Sequence, residues 1–178
     1  DVRPRKVEFY PNIPTEEVYT TPDCRVTNGT VRATRPFLIN GKLIKGLVVE
    51  FKEGSIVNYN AESGKETFGE YISSDEGARR LGEGALVGID SPTYKTGLIF
   101  EEILFDENAA CHIAVGAAYK SCIDGGDSLD SAGAKEIGCN ESNVHTDMMI
   151  SSEEVDVFAN TYAGETIQLI KNGAWVNL

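Results

Sequence analysis

The stretch Asp106-Glu107-Asn108-Ala109-Ala110-Cys111-His112-Ile113-Ala114-Val115-Gly116-Ala117-Ala118-Tyr119 sets two carboxylates, an imidazole and a phenol on one short apolar segment. The chain has only two histidines. The second, His145, stands in Val144-His145-Thr146-Asp147-Met148-Met149-Ile150 with a carboxylate two residues on. Imidazole nitrogen and carboxylate oxygen together suit zinc, cobalt, manganese or iron. One such histidine alone reads more simply as a satisfied core residue. Two of them, each beside an acid in apolar surroundings, point to a metal site. Cys111 next to His112 offers a second chemistry, a thiol nucleophile with an imidazole base. Adjacent residues of a strand face opposite ways, so a small buried hydrophobe is the simpler reading of Cys111.

The elements that must position these groups read as short strands. Over Ala110 to Val115, His112 shares a face with Ala110 and Ala114, whose small side chains leave room beside a ligand. Over Ser142 to Ile150, His145 and Asp147 share a face because i and i+2 align. Leu81 to Asp90 reads as a buried strand in which Glu83 is the anomaly. A buried carboxylate needs a partner, either a metal or an arginine such as Arg79 or Arg80. Between Pro11 and Pro22, three prolines make a stiff extended loop that carries Glu16 and Glu17. Their adjacent side chains diverge, so one can face a metal while the other faces substrate, or both can face solvent.

The remainder reads as scaffold. Val7 to Tyr10 is a strand stopped by Pro11. Residues 30–39, 42–51 and 56–60 form an antiparallel meander, turned at Asn40-Gly41, where both central positions want positive φ, and again at residues 52–55. Glu62 to Arg80 reads as two short helices broken near residues 73–76, with Ser74 capping the second. Leu98 to Phe105 reads as an amphipathic helix, and Ser128 to Ile137 as a short polar one ended by Gly138. Residues 155–159, 166–170 and 173–176 read as closing strands. The expected fold is α+β: a mixed, largely antiparallel sheet with a few short helices in a single domain. At 178 residues such a chain buries roughly 70% of its unfolded surface, enough for a proper core.

A net charge of -12 disfavours nucleic acid and anionic membrane surfaces as partners, and suits metal ions or the ammonium end of a peptide. No apolar run is long enough to span a bilayer. The four cysteines contain no C-x-x-C, which argues against a structural zinc knuckle. With no secretory signal, free thiols in a cytoplasmic protein are the expectation. The chain begins at Asp1 and enters at once into strand-like sequence, as a piece of a longer protein does.

Four segments carry a family resemblance: Pro11 to Val18, Leu81 to Val87, Asp106 to His112 and His145 to Ile150. Together, in order, and over about Glu8 to Trp175, they are similar to the thermophilic aminopeptidase family. The resemblance implies a dinuclear metallo-aminopeptidase that releases N-terminal residues from peptides. By position, Glu17, Glu83, His112, His145 and Asp147 match its metal ligands, Glu107 a further ligand, and Tyr119 its active-site tyrosine. Departures at Gly84, Gly88, Thr146, Met148 and Ser151 replace none of these. Family enzymes carry an additional N-terminal domain, so residues 1–178 read as the C-terminal metal-binding catalytic domain. Expected cofactors are two divalent ions, zinc or cobalt ahead of manganese or magnesium. Expected partners are peptides with a free N-terminus, with a homodimer left open. By analogy with other two-metal aminopeptidases, Glu16 shuttles the proton, with Glu107 its rival if that residue does not bind metal, while Tyr119 donates to the oxyanion. A metal-holding fragment inactive without the N-terminal domain, and a non-enzymatic β-rich interaction module, are the alternative readings.

Overall fold

The computed structural model describes residue 10 and residues 13–176, so the strand expected over residues 7–10 falls outside them except for Tyr10. In chain order the strands and helices are β1 (Val18–Thr20), β2 (Gly29–Arg32), β3 (Phe37–Ile39), β4 (Lys42–Ile44), β5 (Val48–Lys52), β6 (Ser55–Asn60), α1 (Lys65–Tyr71), β7 (Leu81–Leu86), α2 (Pro92–Lys95), α3 (Ile103–Asp106), β8 (His112–Gly116), α4 (Ser131–Glu136), β9 (His145–Met149), β10 (Val157–Asn160), β11 (Thr166–Lys171) and β12 (Ala174–Trp175). They form sheets β1-β7-β8-β9, β2-β5-β6, β10-β11-β12 and the pair β3-β4. Every strand pair among the described residues is antiparallel, which narrows the mixed sheet expected from sequence. Short connections impose this on β3-β4, β5-β6, β10-β11 and β11-β12, since parallel neighbours need long crossovers.

The Asn40-Gly41 turn joins β3 to β4 with both residues at positive φ, 50° and 75°, as its chemistry requires. The core lies between the β2-β5-β6 sheet, helix α1 and one face of the β1-β7-β8-β9 sheet. Val49, Phe51, Ile56, Phe68, Ile72, Leu81, Val115 and Met148 are all buried within it. Tyr59 meets Phe68 edge-on at 5.4 Å, closing the α1 side.

Three local expectations are corrected. The amphipathic helix over Leu98 to Phe105 is absent: only Ile103–Asp106 is helical, because Gly97 and Glu101 take left-handed φ values of 66° and 56°. Asp106 Oδ1 instead accepts the Phe100 N–H at 3.0 Å, and Leu98, Ile99, Leu104 and Phe105 stay exposed. Ser74 does not cap the turn at Gly77–Arg79: its hydroxyl donates back to the Tyr71 carbonyl, and Asp75 Oδ1 accepts the Ala78 N–H at 2.9 Å. The polar helix before Gly138 starts later than expected, capped by Asp130, whose carboxylate accepts from Gly133 N–H at 2.8 Å.

Candidate metal centre

Strand register assembles the site. Glu83 on β7 pairs with Ala114 on β8, and Ala114 with Asp147 on β9, so the two carboxylates flank a methyl group on one face. His112 lies opposite Ala85 on one side, and His145 lies opposite Gly116. Ala85 and Ala114 are too small to fill the space above the sheet, which leaves room for an ion among the donors. Glu83 reaches this face through a bulge: the register slips between Leu81 and Glu83, sending Leu81 to the core beside Val115 and Glu83 to the site. Gly82 is the extra residue, and a side chain there would strike the Ala117 carbonyl. Two further acids arrive from outside the sheet. Glu17 precedes β1, and Glu107 opens the 3-10 turn Glu107–Ala109.

Distances divide the donors into two overlapping groups. His112 Nε2 lies 3.0 Å from Glu17 Oε2, 4.0 Å from Glu83 Oε1 and 3.9 Å from Asp147 Oδ1. His145 Nε2 lies 3.3 Å from Glu83 Oε2 and 3.6 Å from Asp147 Oδ2. Glu83 and Asp147 therefore each turn one oxygen toward each imidazole. Three clusters have ligand atoms mutually within 4.8 Å: Glu17-Glu83-His112, Glu83-His145-Asp147 and Glu107-His112-Asp147.

Backbone carbonyls aim both rings. A carbonyl only accepts, so His112 Nδ1 donates to Ala110 O at 3.0 Å and His145 Nδ1 to Ala117 O at 2.8 Å. Each Nε2 is thereby turned toward the carboxylates, the tautomer a ligating histidine needs. Glu17, Glu83, Glu107 and Asp147 are buried together at the site, and no lysine or arginine is among the residues lining its cavity. Arg79 and Arg80, the sequence's alternative partners for Glu83, donate instead to the Ile56 and Cys24 carbonyls at 3.4 Å.

These charges perturb one another. Burial pushes the His112 imidazole down, but the Glu17 and Asp147 carboxylates outweigh it and hold its pKa at about 9. Burial likewise opposes Asp147 and Glu83 at His145, which they hold at about 10. Burial, then the Asp147 and Glu17 charges, pushes Glu107 up to about 8. Among the described residues, buried Asp147 Oδ1 makes no hydrogen bond, and His112 Nε2 faces acids alone, with Glu17 Oε2 at 3.0 Å. Both atoms lie where a cation would touch them, and the nitrogen-and-oxygen donor set suits a divalent ion. The residues fit a metal.

The cavity over the cluster holds about 250 Å3 and is lined by Tyr19, Ile103, Leu104 and Tyr119 besides the acids and His145. Tyr119 places its hydroxyl 3.4 Å from His145 Nε2. Burial, followed by the Glu83 and Asp147 charges, raises its phenol, which keeps it protonated and a donor. Tyr19 packs edge-on to Tyr119 at 5.8 Å. It was legible as the i+2 neighbour of Glu17 on β1, but drew no notice because tyrosine is common in strands. Glu16 is not among the lining residues; its backbone N–H donates to Asn108 Oδ1 at 2.7 Å. Cys111 turns away from His112, its thiol donating to the Val87 carbonyl at 3.3 Å, so the thiol-imidazole pair is not formed. Ser151 is buried and is not among the lining residues; its hydroxyl accepts the Cys111 N–H. A larger cavity, about 450 Å3, shares no lining residue with this one. Its lining balances three acids with three bases and holds none of the clustered donors.

A sheet face of acids and imidazoles opening on a small cavity makes a candidate metal centre, and comparison with known proteins agrees. Residues 1–175 match the model of the thermophilic metalloprotease (M29) family, and the chain belongs to that family. It is 46% identical over 169 residues to aminopeptidase 2 of Geobacillus stearothermophilus, covering 95% of this chain and 41% of that protein. It is 48% identical over 166 residues to aminopeptidase T of Thermus aquaticus, covering 93% and 40%. The solved structure of wild-type AmpT from Thermus thermophilus superposes with a TM-score of 0.86 at 47% identity, over 93% of this chain and 41% of that one. The chain thus spans about two fifths of the length of the relatives it matches. Among the described residues, no helix is long and apolar enough to cross a membrane.

Proposed function

We propose that residues 1–178 are the C-terminal metal-binding catalytic part of an aminopeptidase that hydrolyses the N-terminal bond of peptides at a pair of divalent ions. One observation carries the pair: Glu83 and Asp147 each divide their two oxygens between His112 and His145, so both acids could serve a cation beside either imidazole. Glu17 and His112 would complete one position and His145 the other, with Glu107 beside the first. Zinc or cobalt suits the mixed nitrogen-and-oxygen donors, ahead of manganese or magnesium. When bound, the ions would supply Lewis acidity and lower the pKa of a water toward about 7.

The chain's own residues do the rest. The Tyr119 hydroxyl, kept protonated, donates to oxygen charge developing at the scissile carbonyl. Proton transfer from water to the leaving amine falls to a carboxylate outside the metal positions. Glu107, which lines the cavity, is better placed for this than Glu16, whose side chain is not in the lining. If Glu107 is instead a ligand, the task reverts to Glu16.

The test is metal content per chain together with hydrolysis of leucyl-p-nitroanilide after adding cobalt or zinc. Two ions with turnover is the expected result. Two ions without turnover would mean that the remaining three fifths of the relatives' length is needed for activity. A folded chain that binds no metal overturns the reading. Glu107→Gln and Glu16→Gln, compared side by side, separate the roles: the proton carrier keeps both ions and loses turnover, whereas a ligand loses metal.

A further inference from the structure

Four of the six donors, Glu83, His112, His145 and Asp147, sit in hydrogen-bonded strands, where register sets their spacing. Glu17 and Glu107 do not. Each lies one residue away from a bond made by the same side chain, Asn108. Asn108 is fully buried, and its amide is used from both ends. Oδ1 accepts the Glu16 N–H at 2.7 Å, while Nδ2 donates to the Leu104 carbonyl at 2.9 Å. Its own carbonyl accepts the Ser91 hydroxyl at 2.7 Å, and that hydroxyl in turn accepts from Thr93 and Tyr94 N–H at the start of α2.

We infer that Asn108 is a positioning residue that locks the Glu16-Glu17 loop to the α3 and Glu107 turn, and so sets the separation of Glu17 and Glu107, the two site acids outside the strands, whether Glu107 carries a proton or holds metal. This rests on the metal reading of the site. The residue type follows from the demands on it. The position needs one acceptor and one donor in a short side chain, and asparagine supplies both without charge. Aspartate would keep the bond to Glu16 but lose the donor to Leu104, and would add a fifth carboxylate beside four. The Leu104 bond reaches further, because Ile103 and Leu104 form the apolar wall of the cavity. Asn108 thereby ties metal donors and substrate wall to one point.

The experiment compares wild type, Asn108→Ala and Asn108→Asp for cobalt affinity by chelator competition, for the visible spectrum of the cobalt-loaded chain, and for melting of the chelated chain. Asn108→Ala is expected to bind about 10–100-fold more weakly, the range for losing a group that orients a ligand, with a shifted cobalt spectrum. Asn108→Asp, which keeps one limb of the clamp, should fall between. A folded Asn108→Ala chain with wild-type affinity and spectrum overturns the inference. If the alanine variant does not fold, Asn108→Asp decides: unchanged affinity and spectrum overturn it, weaker binding with a shifted spectrum upholds it. Absence of metal binding by wild type would instead sink the site reading on which the inference stands.

Discussion

Two antiparallel sheets of this chain share a core and use it differently. In β2-β5-β6, the buried face carries Val49, Phe51 and Ile56, packed against Phe68 and Ile72. In β1-β7-β8-β9, Val115 and Met148 join that core from one face, while the other buries Glu83, His112 and Asp147 over Ala85 and Ala114. The first sheet gains from removing apolar area from water on its buried face, at about 25 cal/mol per Å2. The second gains on one face only, because gathering like charges on the other costs several kcal/mol per ion unless something neutralises them. Both sheets contribute to the core, but only the second buries a face of acids and imidazoles. The second sheet should therefore depend on metal and pH in ways the first does not.

The sharpest way to break this contrast is His112→Ala. Removing a donor that, like Glu83 and Asp147, belongs to two of the three clusters should weaken metal binding by more than the roughly 100-fold seen for outer-shell losses, and turnover should fall with it. Metal content after dialysis reads this directly, and full retention would mean that the imidazole is structural. Phe68→Ala tests the other sheet. Truncating this fully buried ring should cost about 3–5 kcal/mol in denaturant melts, while the metal content of the folded fraction stays the same. Tyr119→Phe divides binding from catalysis inside the site, with kcat lower by about 100-fold and metal content unchanged. Equal loss of both would make Tyr119 part of the metal environment.

The subtlest effect is on pH. In the folded chain without metal, His112 and His145 hold their protons to about 9 and about 10, against 6.5 ordinarily. Their contribution to stability is fully present below about 6.5 and is lost as pH rises through those higher values. Glu107, at about 8 against 4.5, acts in the same direction, since folding favours its protonated form. Chelated protein should melt at progressively lower temperature from neutral to alkaline pH. Metal-loaded protein should hold steady over that range, because ligation already requires deprotonated donors. Phe68→Ala should lower both curves without changing their shapes. A flat curve for the chelated chain would remove the electrostatic distinction between the sheets.

Much of the site was legible because strand alternation is local. His145 and Asp147 share a face at i and i+2, and the structure places both at the cavity; the hairpin at Asn40-Gly41 likewise follows from two residues that tolerate positive φ. The helix expected over Leu98 to Phe105 failed for an equally local reason that periodicity hides, the left-handed backbone at Gly97 and Glu101. Asn108 was missed because a neutral amide carries no chemistry of its own; its importance lies in bonds to Glu16 and Leu104, one of them 92 residues away in sequence.

By itself, the sequence determined which donors exist, that two histidines keep company with acids, and that short strands would carry most of them. Tertiary structure alone decided which of those donors meet. Strict alternation would put Leu81 and Glu83 on the same face of β7, one of them misplaced. The bulge at Gly82, whose missing side chain lets the Ala117 carbonyl approach, sends the leucine to the core and the acid to the site. That choice depends on how β7 registers with β8, and β8 with β9. A period of two is a property of one strand, but register is a property of a pair.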